Sequence, residues 1–277
     1  MKKVALAVSI AMISGGAFAG NLIDYNLQGE VDSDITVTQN SPGTATADGN
    51  YVSIQMTNGD DNDGTIMQTG EMNKTYIVSD AGAWMNEFTV TQTGDGNTSN
   101  VDFNDSYLNE ATATVSGNLN TTTSTFDGYY SDHNVAVLNV TGDSNTITTS
   151  VEGSNNTNRN NFAVDATGNG NTVSLTARGH QTNDNVFDVD ITGDGNSVTS
   201  IVRTSNSQDN VLDVDIIGLS NDNTIMTTQT GSDAEIHVNV SGASFMNNVT
   251  ITQNNTDIAN VTYGAASSNN TLVLVQN

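Results

Sequence analysis

Hydrophobic and polar residues alternate along most of the chain with a period of two, the pattern typical of β-strands. The inward positions of two successive stretches are Phe187, Val189 and Ile191, then Leu212, Val214 and Ile216. A second alternating stretch with fewer apolar residues follows each first one, as at Val198 and Val202. The pattern therefore predicts pairs of strands that recur along the chain.

A glycine between the two stretches marks the repeat, because it recurs at intervals of 23 to 26 residues. The eight glycines are Gly70, Gly94, Gly117, Gly142, Gly168, Gly193, Gly218 and Gly242. Glycine adopts backbone angles that other residues avoid, so each one is expected to form a tight turn. The chain is therefore read as units of roughly 25 residues.

Asparagine occupies two fixed positions around this glycine. Eight residues before it stand Asn62, Asn86, Asn109, Asn134, Asn160, Asn185 and Asn210, with Ala234 in the last unit. Three residues after it stand Asn73, Asn97, Asn120, Asn145, Asn171, Asn196 and Asn221, with Phe245 in the last unit. Stacked asparagines can satisfy their own donors and acceptors, so both columns are predicted to form buried amide ladders.

These elements predict an all-β fold, a β-solenoid of about ten stacked two-strand rungs over residues 35–277. Each rung consists of a strand, a Gly-x-x-Asn turn, a second strand and a longer polar connection. Strands of neighbouring rungs would pair at a spacing of about 4.8 Å. One layer of apolar side chains between two sheets would then suffice to order a polar chain.

The first 34 residues depart from the repeat. Residues 1–19 carry Lys2 and Lys3, an apolar stretch and Ala17-Phe18-Ala19, and this order predicts a secretory signal peptide. Residues 20–34 are acidic and are expected to form an unstructured leader. We therefore expect a secreted protein whose mature chain has no membrane span, because no later apolar run approaches about 20 residues.

The charge balance excludes several classes of partner. The chain has 6 basic and 31 acidic residues, a net charge of −25, and loss of Lys2 and Lys3 with the signal would make it −27. Nucleic acids require a basic surface, so they are not expected as partners. The chain also lacks cysteine, so its stability must come from burial and backbone pairing.

A short glutamine motif resembles the curlin repeat family, the subunits of curli fibres. Gln92-Thr93-Gly94-Asp95-Gly96-Asn97 matches that family's core pattern, and the segment from Gln68 to Asn73 matches all of it except the second glycine. The resemblance implies a two-sheet β-solenoid, export through an outer-membrane channel, a nucleator subunit as partner, and polymerisation into an extracellular or cell-surface amyloid fibre. Such fibres serve in biofilm matrix and cell adhesion.

Aspartates also recur at the repeat spacing on outward positions, at Asp165, Asp190 and Asp215 and at Asp188 and Asp213. Stacked rungs would set these carboxylates about 5 Å apart, where like charges repel by roughly 1 kcal/mol even in water. A hard cation such as calcium could bridge them. Alternatively, the aspartates keep the exposed face soluble and block stacking of sheets.

Catalysis has little support in the sequence. His133, His180 and His237 fall in different phases of the repeat, and neither a thiol nor a Gly-x-Ser-x-Gly motif is present. We therefore expect no enzyme. Two interpretations remain: a subunit that polymerises with itself, or a monomeric secreted adhesin or ligand-binding module, in one version calcium-dependent. The uncharged, strand-like residues 271–277 favour stacking of copies.

Overall fold

The computed structural model describes most of the chain. The described residues are 5–9, 20–27, 34–42, 48–57, 62–79, 85–104, 107–127, 131–152, 157–178, 182–203, 209–216, 221–254, 258–262, 264 and 267–276. Within them the chain forms two parallel sheets of eleven strands each and one pair of short strands. We call the two large sheets A and B.

The strands of sheet A are β1 (Ala5–Ser9), β3 (Asp34–Asn40), β5 (Asp63–Thr69), β7 (Glu87–Thr93), β9 (Glu110–Ser116), β12 (Val135–Thr141), β15 (Asn161–Thr167), β17 (Val186–Thr192), β19 (Val211–Ile216), β21 (Glu235–Asn239) and β23 (Ile258–Thr262). Those of sheet B are β2 (Leu22–Leu27), β4 (Tyr51–Met56), β6 (Lys74–Ile77), β8 (Thr98–Val101), β10 (Thr121–Thr125), β13 (Thr146–Glu152), β16 (Thr172–Arg178), β18 (Ser197–Arg203), β20 (Thr224–Thr230), β22 (Asn248–Asn254) and β24 (Thr271–Gln276). The short pair is β11 (Ser131–Asp132) and β14 (Thr157–Asn158).

The two sheets are stacked rungs of one coil. The chain passes from a strand of sheet A to a strand of sheet B, and each strand pairs in parallel with its counterpart in the next rung. Pairing is in register with the repeat, so Phe162 lies opposite Phe187 and Val198 lies opposite Ile225. The predicted β-solenoid of about ten two-strand rungs is confirmed.

A single apolar layer fills the space between the sheets. Side chains alternate between buried and accessible along most of the described strands, as in β17, where Phe187, Val189 and Ile191 are buried. Like residues stack along the coil, and the rings of Phe162 and Phe187 are parallel with centroids 4.8 Å apart. Stacked rings of this kind add stabilisation beyond the area that they bury.

Glycine at the turn is required by the closeness of successive rungs. Gly142 has a φ of 119°, and a Cβ atom built on it would lie 2.0 Å from the carbonyl oxygen of Gly168. A side chain at this position would therefore strain the backbone and push two rungs apart. Gly242 differs from this column, because the residues with positive φ in its turn are Ala243 and Met246. Gly218 lies outside the described residues.

The N-terminal region contains more strand than the sequence indicates. We expected an unstructured leader at residues 20–34, but β2 lies within it and pairs with β4 from Leu22↔Tyr51 to Leu27↔Met56. This expectation was wrong for residues 22–27, because the leader contains an alternating segment that continues sheet B. β1 lies within the predicted signal peptide and pairs with β3. Among the described residues, no helix is long and apolar enough to cross a membrane.

Candidate functional site

The corner between sheet A and sheet B carries a continuous asparagine ladder. In each rung the asparagine side-chain nitrogen donates to the side-chain oxygen of the asparagine one rung earlier, over 2.9 to 3.2 Å. Its members are Asn50, Asn73, Asn97, Asn120, Asn145, Asn171, Asn196, Asn223, Asn247 and Asn270. In the members from Asn73 to Asn171 the same nitrogen also donates to the turn glycine's carbonyl in the following rung, as Asn145 does to Gly168 at 2.7 Å. Each of these amides therefore ties three rungs together.

One member of this ladder differs from the prediction. We placed Asn221 in the column and Phe245 as its exception, but the structure places Asn223 and Asn247 there. The turn after β19 is two residues longer, so 27 residues separate Asn196 from Asn223. Asn221 instead forms a bridge with Phe245, and its side-chain oxygen accepts a hydrogen bond from the Asp194 backbone. The ladder is thus unbroken in the last unit, where the sequence pattern placed Phe245 in place of an asparagine.

The opposite corner carries the second asparagine column. Its predicted members Asn62, Asn86, Asn109, Asn134, Asn160, Asn185 and Asn210 are all buried. Side-chain bonds link successive members, for example Asn185 to Asn160 at 2.7 Å and Asn210 to Asn185 at 2.8 Å. Ala234 continues the column with its backbone N–H, which donates to the Asn210 side-chain oxygen at 3.1 Å.

Glutamines extend the amide network toward both ends of the coil. In sheet A, Gln39 donates to Gln68 and Gln68 donates to Gln92, both over 2.9 Å, and all three are buried. Gln92 also donates to the hydroxyl of Ser99 in the facing sheet, at 3.1 Å. In sheet B, Gln253 donates to Gln276 at 2.8 Å. The two predicted curlin-like glutamines, Gln68 and Gln92, are thus neighbours in one buried ladder.

An exposed column of turn residues forms a further ladder that the sequence analysis missed. The backbone N–H of each member donates to the side-chain oxygen of the member one rung later, over 2.7 to 2.8 Å. The accepting residues are Asp95, Asn118, Asp143, Asn169, Asp194 and Asn221. Aspartate and asparagine alternate in it, so carboxylates in adjacent rungs are separated by a neutral amide. From Asp95 to Asp194 the members of this column directly follow the turn glycine, so the alternation of aspartate and asparagine at that position could have predicted most of the ladder.

The predicted aspartate columns lie together on the outer face of sheet A. Register pairs Asp165 with Asp190 and Asp190 with Asp215, and it pairs Asp188 with Asp213. Burial and the charges of the neighbouring aspartates raise the pKa of Asp188 and Asp190 above the ordinary value. The asparagines of the adjacent rungs cap the longer column, and Asn139 donates to Asp165 at 2.6 Å.

Neither a metal cluster nor a cluster of histidines emerges from the described residues. Groups of three or more His, Cys, Asp or Glu arranged to hold a metal ion are absent from that part of the chain. His237 ends the shorter aspartate column, with its Nδ1 3.6 Å from Asp213. His133 lies at a corner with its Nδ1 2.9 Å from Asp132. His180 lies outside the described residues.

The C-terminal rung presents an open face within the described part of the chain. There β24 pairs only with β22, and β23 pairs only with β21. Leu272 and Leu274 are only partly buried, whereas their register partners Val249 and Ile251 are fully buried. The last rung therefore leaves one edge of both sheets and part of the apolar layer accessible.

Stacked amide ladders, a thin apolar layer and in-register parallel sheets define this protein as an all-β solenoid. Residues 59–102 match the family model of the curlin associated repeat. That segment comprises β5 to β8 and contains both Gln68 and Gln92. The match confirms the predicted resemblance to the curlin repeat family. A comparison with curated proteins gave no match.

Proposed function

We propose that the protein is a structural subunit of an extracellular, curli-like amyloid fibre. Copies would stack end to end, so that the last rung of one copy pairs with the first rung of the next. The curlin associated repeat at residues 59–102 supports membership in a fibre-forming class. Its partners would then be further copies of itself, an outer-membrane export channel and a nucleator subunit, and its role would be structural, not catalytic.

The in-register parallel stack is the observation that carries this proposal, because each rung pairs with the next through the edges of its strands. An unpaired strand edge is a template for another strand. β24 offers such an edge together with the half-buried Leu272 and Leu274, which a stacked copy would cover. At the other end, removal of the predicted signal peptide would take β1 away from β3 and free the edge of Asp34–Asn40.

Purified protein is expected to form fibres that bind thioflavin T and give cross-β diffraction, because the rungs already have the cross-β spacing of about 4.8 Å.

Growth should be faster at higher ionic strength, since salt screens the repulsion between acidic copies. Growth rates measured in calcium chloride and in sodium chloride at equal ionic strength distinguish cation bridging from screening. If calcium bridges the aspartates, growth is faster in calcium chloride. A protein that stays monomeric at high concentration with salt and calcium would refute the fibre proposal and leave the secreted adhesin or binding module.

A further inference from the structure

The outer face of sheet B is rich in hydroxyl groups and uncharged over the first five positions of six neighbouring strands, and Arg178 and Arg203 lie beside this patch at the seventh positions of β16 and β18. Six neighbouring strands of sheet B are paired in register: β10, β13, β16, β18, β20 and β22. We use the name hydroxyl face for the outward side chains at the first, third and fifth positions of these strands. Fifteen of these 18 residues are threonine or serine, and the exceptions are Ile201, Met226 and Asn248; one of the serines, Ser150, is buried. None of the 18 carries a charge, in a chain with a net charge of −25.

Strand propensity does not explain this composition, because sheet A has the same backbone geometry and the same solvent. In the same six rungs, the outer face of sheet A carries the five aspartates of the two columns together with Glu110 and Glu235. Threonine favours strands in either sheet. The absence of charge over these five positions is therefore a property of one part of sheet B and calls for a reason specific to that part.

The two corners of the coil are acidic as well. Asp95, Asp143 and Asp194 are exposed along the turn between sheet A and sheet B. Asp184 and Asp209 lie along the opposite corner, where Arg159 forms an ion pair with Asp184. Like charges brought together across an interface cost several kcal/mol. Among the described surfaces of these six rungs, the hydroxyl faces are thus the sides through which two copies can approach without opposing carboxylates.

The size of the hydroxyl face sets how strongly two copies would bind. Six strands about 4.8 Å apart and five residues long make a face of about 29 by 17 Å, or about 500 Å² on each partner. Stable complexes bury about 1,200–2,000 Å² in total, so two single copies would associate weakly. Copies stacked into a fibre would repeat the face along the fibre axis, and the linked contacts would add in avidity.

We propose that the hydroxyl face docks against the hydroxyl face of a second copy and joins neighbouring fibres side by side. The two faces share one rung spacing, so threonine methyl and hydroxyl groups can interdigitate along any length, as in the dry interfaces between paired sheets. Ile201 and Met226 add apolar surface to the contact. The inference that fibres bundle rests on the proposed fibre function, whereas the contact between two hydroxyl faces does not depend on it.

The test compares two double variants of the full chain. Thr148→Asp/Thr199→Asp adds two charges to the hydroxyl face, and Thr65→Asp/Thr114→Asp adds two charges to exposed positions on the outer face of sheet A. Electron microscopy should show bundles for wild type and for the sheet A variant, but single filaments for the hydroxyl-face variant. Thioflavin T growth should be alike in all three, which shows that folding and stacking are intact. Bundles in the hydroxyl-face variant, or single filaments in the wild type, overturn the proposal.

A cysteine reporter tests the contact without fibres, since the chain contains no cysteine of its own. Thr199→Cys on the hydroxyl face and Thr114→Cys on sheet A are treated at high protein concentration with a flexible bismaleimide. The proposal predicts severalfold more cross-linked dimer for Thr199→Cys, even where no fibres form and the fibre proposal has failed. Equal yields overturn it. It is also overturned if monomers shape ice crystals and the hydroxyl-face variant does not, because the face would then bind an ordered water lattice.

Discussion

At the scale of single residues, the corner asparagines carry the order of the coil. The side chain of Asn145 donates to Asn120 and Gly168 and accepts from the backbone and side chain of Asn171. Asn145→Ala would orphan buried groups in both adjacent rungs, and each such group costs about 1–3 kcal/mol. We expect denaturant unfolding of freshly purified monomer to shift to clearly lower concentration.

Asn161→Ala is the matched control, because Asn161 begins β15 in the next rung and its side chain is exposed. This change should leave the unfolding midpoint within a few tenths of a kcal/mol, as is usual for surface substitutions. Equal shifts for Asn145→Ala and Asn161→Ala would show that the ladder does not stabilise the fold.

The sequence predicts which asparagines form the ladders wherever the spacing between the asparagine and the turn glycine is constant. That offset places Asn145 and Asn171 correctly, because each rung must return to the same corner after the same number of residues. It fails at Asn221, where two extra residues lengthen the turn and Asn223 occupies the corner. A local offset cannot reveal such an insertion, since only pairing between rungs fixes which asparagine meets Asn196.

At the scale of strands, the aspartates on β15, β17 and β19 make the stability depend on pH. Burial and neighbouring carboxylates raise the pKa of Asp188 and Asp190, and the groups facing them are Asp165, Asp213 and Asp215, with His237 beside Asp213. An acid with a raised folded-state pKa binds protons more tightly in the folded than in the unfolded chain. The contribution of Asp188 and Asp190 to stability should therefore be greatest below the ordinary aspartate pKa of about 3.9 and be lost as pH rises through the raised values.

The variant Asp188→Asn/Asp190→Asn should flatten this dependence and raise stability near neutral pH. Unfolding midpoints of the monomer between pH 4 and 7 measure both effects. Asp127→Asn serves as the control, because Asp127 is exposed after β10 and away from the aspartate columns. A double variant that keeps the wild-type pH profile would contradict the role given to the columns.

The strands themselves followed from the alternation of residues, but the character of their outer faces did not. Period-two burial in β17 and β18 is visible in the sequence, because it depends only on the pleat. The hydroxyl face depends on six strands that lie roughly 25 residues apart in sequence and become one surface only after stacking. β2 was missed because its residues stand 29 positions before their partners in β4, which is outside the repeat of roughly 25 residues.

At the scale of the whole molecule, every side of the coil differs in what it offers another copy. Sheet A and the corners present carboxylates, sheet B presents the hydroxyl face, and the last rung presents backbone. Repulsion between the acidic sides disfavours irregular association, whereas an edge of unpaired N–H and C=O groups attracts only another strand. Growth along the coil axis and lateral docking thus use different surfaces and can be blocked separately.

The edge of β24 provides the sharpest test of growth along the axis. The Asn248 backbone donates to the carbonyl of Asn270 at 2.8 Å, so by the alternation of a parallel ladder the N–H group of Val273 points away from β22. Val273→Pro removes this donor and leaves the bonds to β22 in place, because proline is tolerated where its N–H side faces outward on an edge strand.

Fibre elongation from sonicated wild-type seeds should be several times slower for Val273→Pro than for Val273→Ala, which shortens the same side chain but keeps the N–H group. Monomer circular dichroism should be alike for the two variants, so that a difference in elongation reports on the edge and not on folding. Equal elongation rates would move the growth interface away from β24 to another part of the coil.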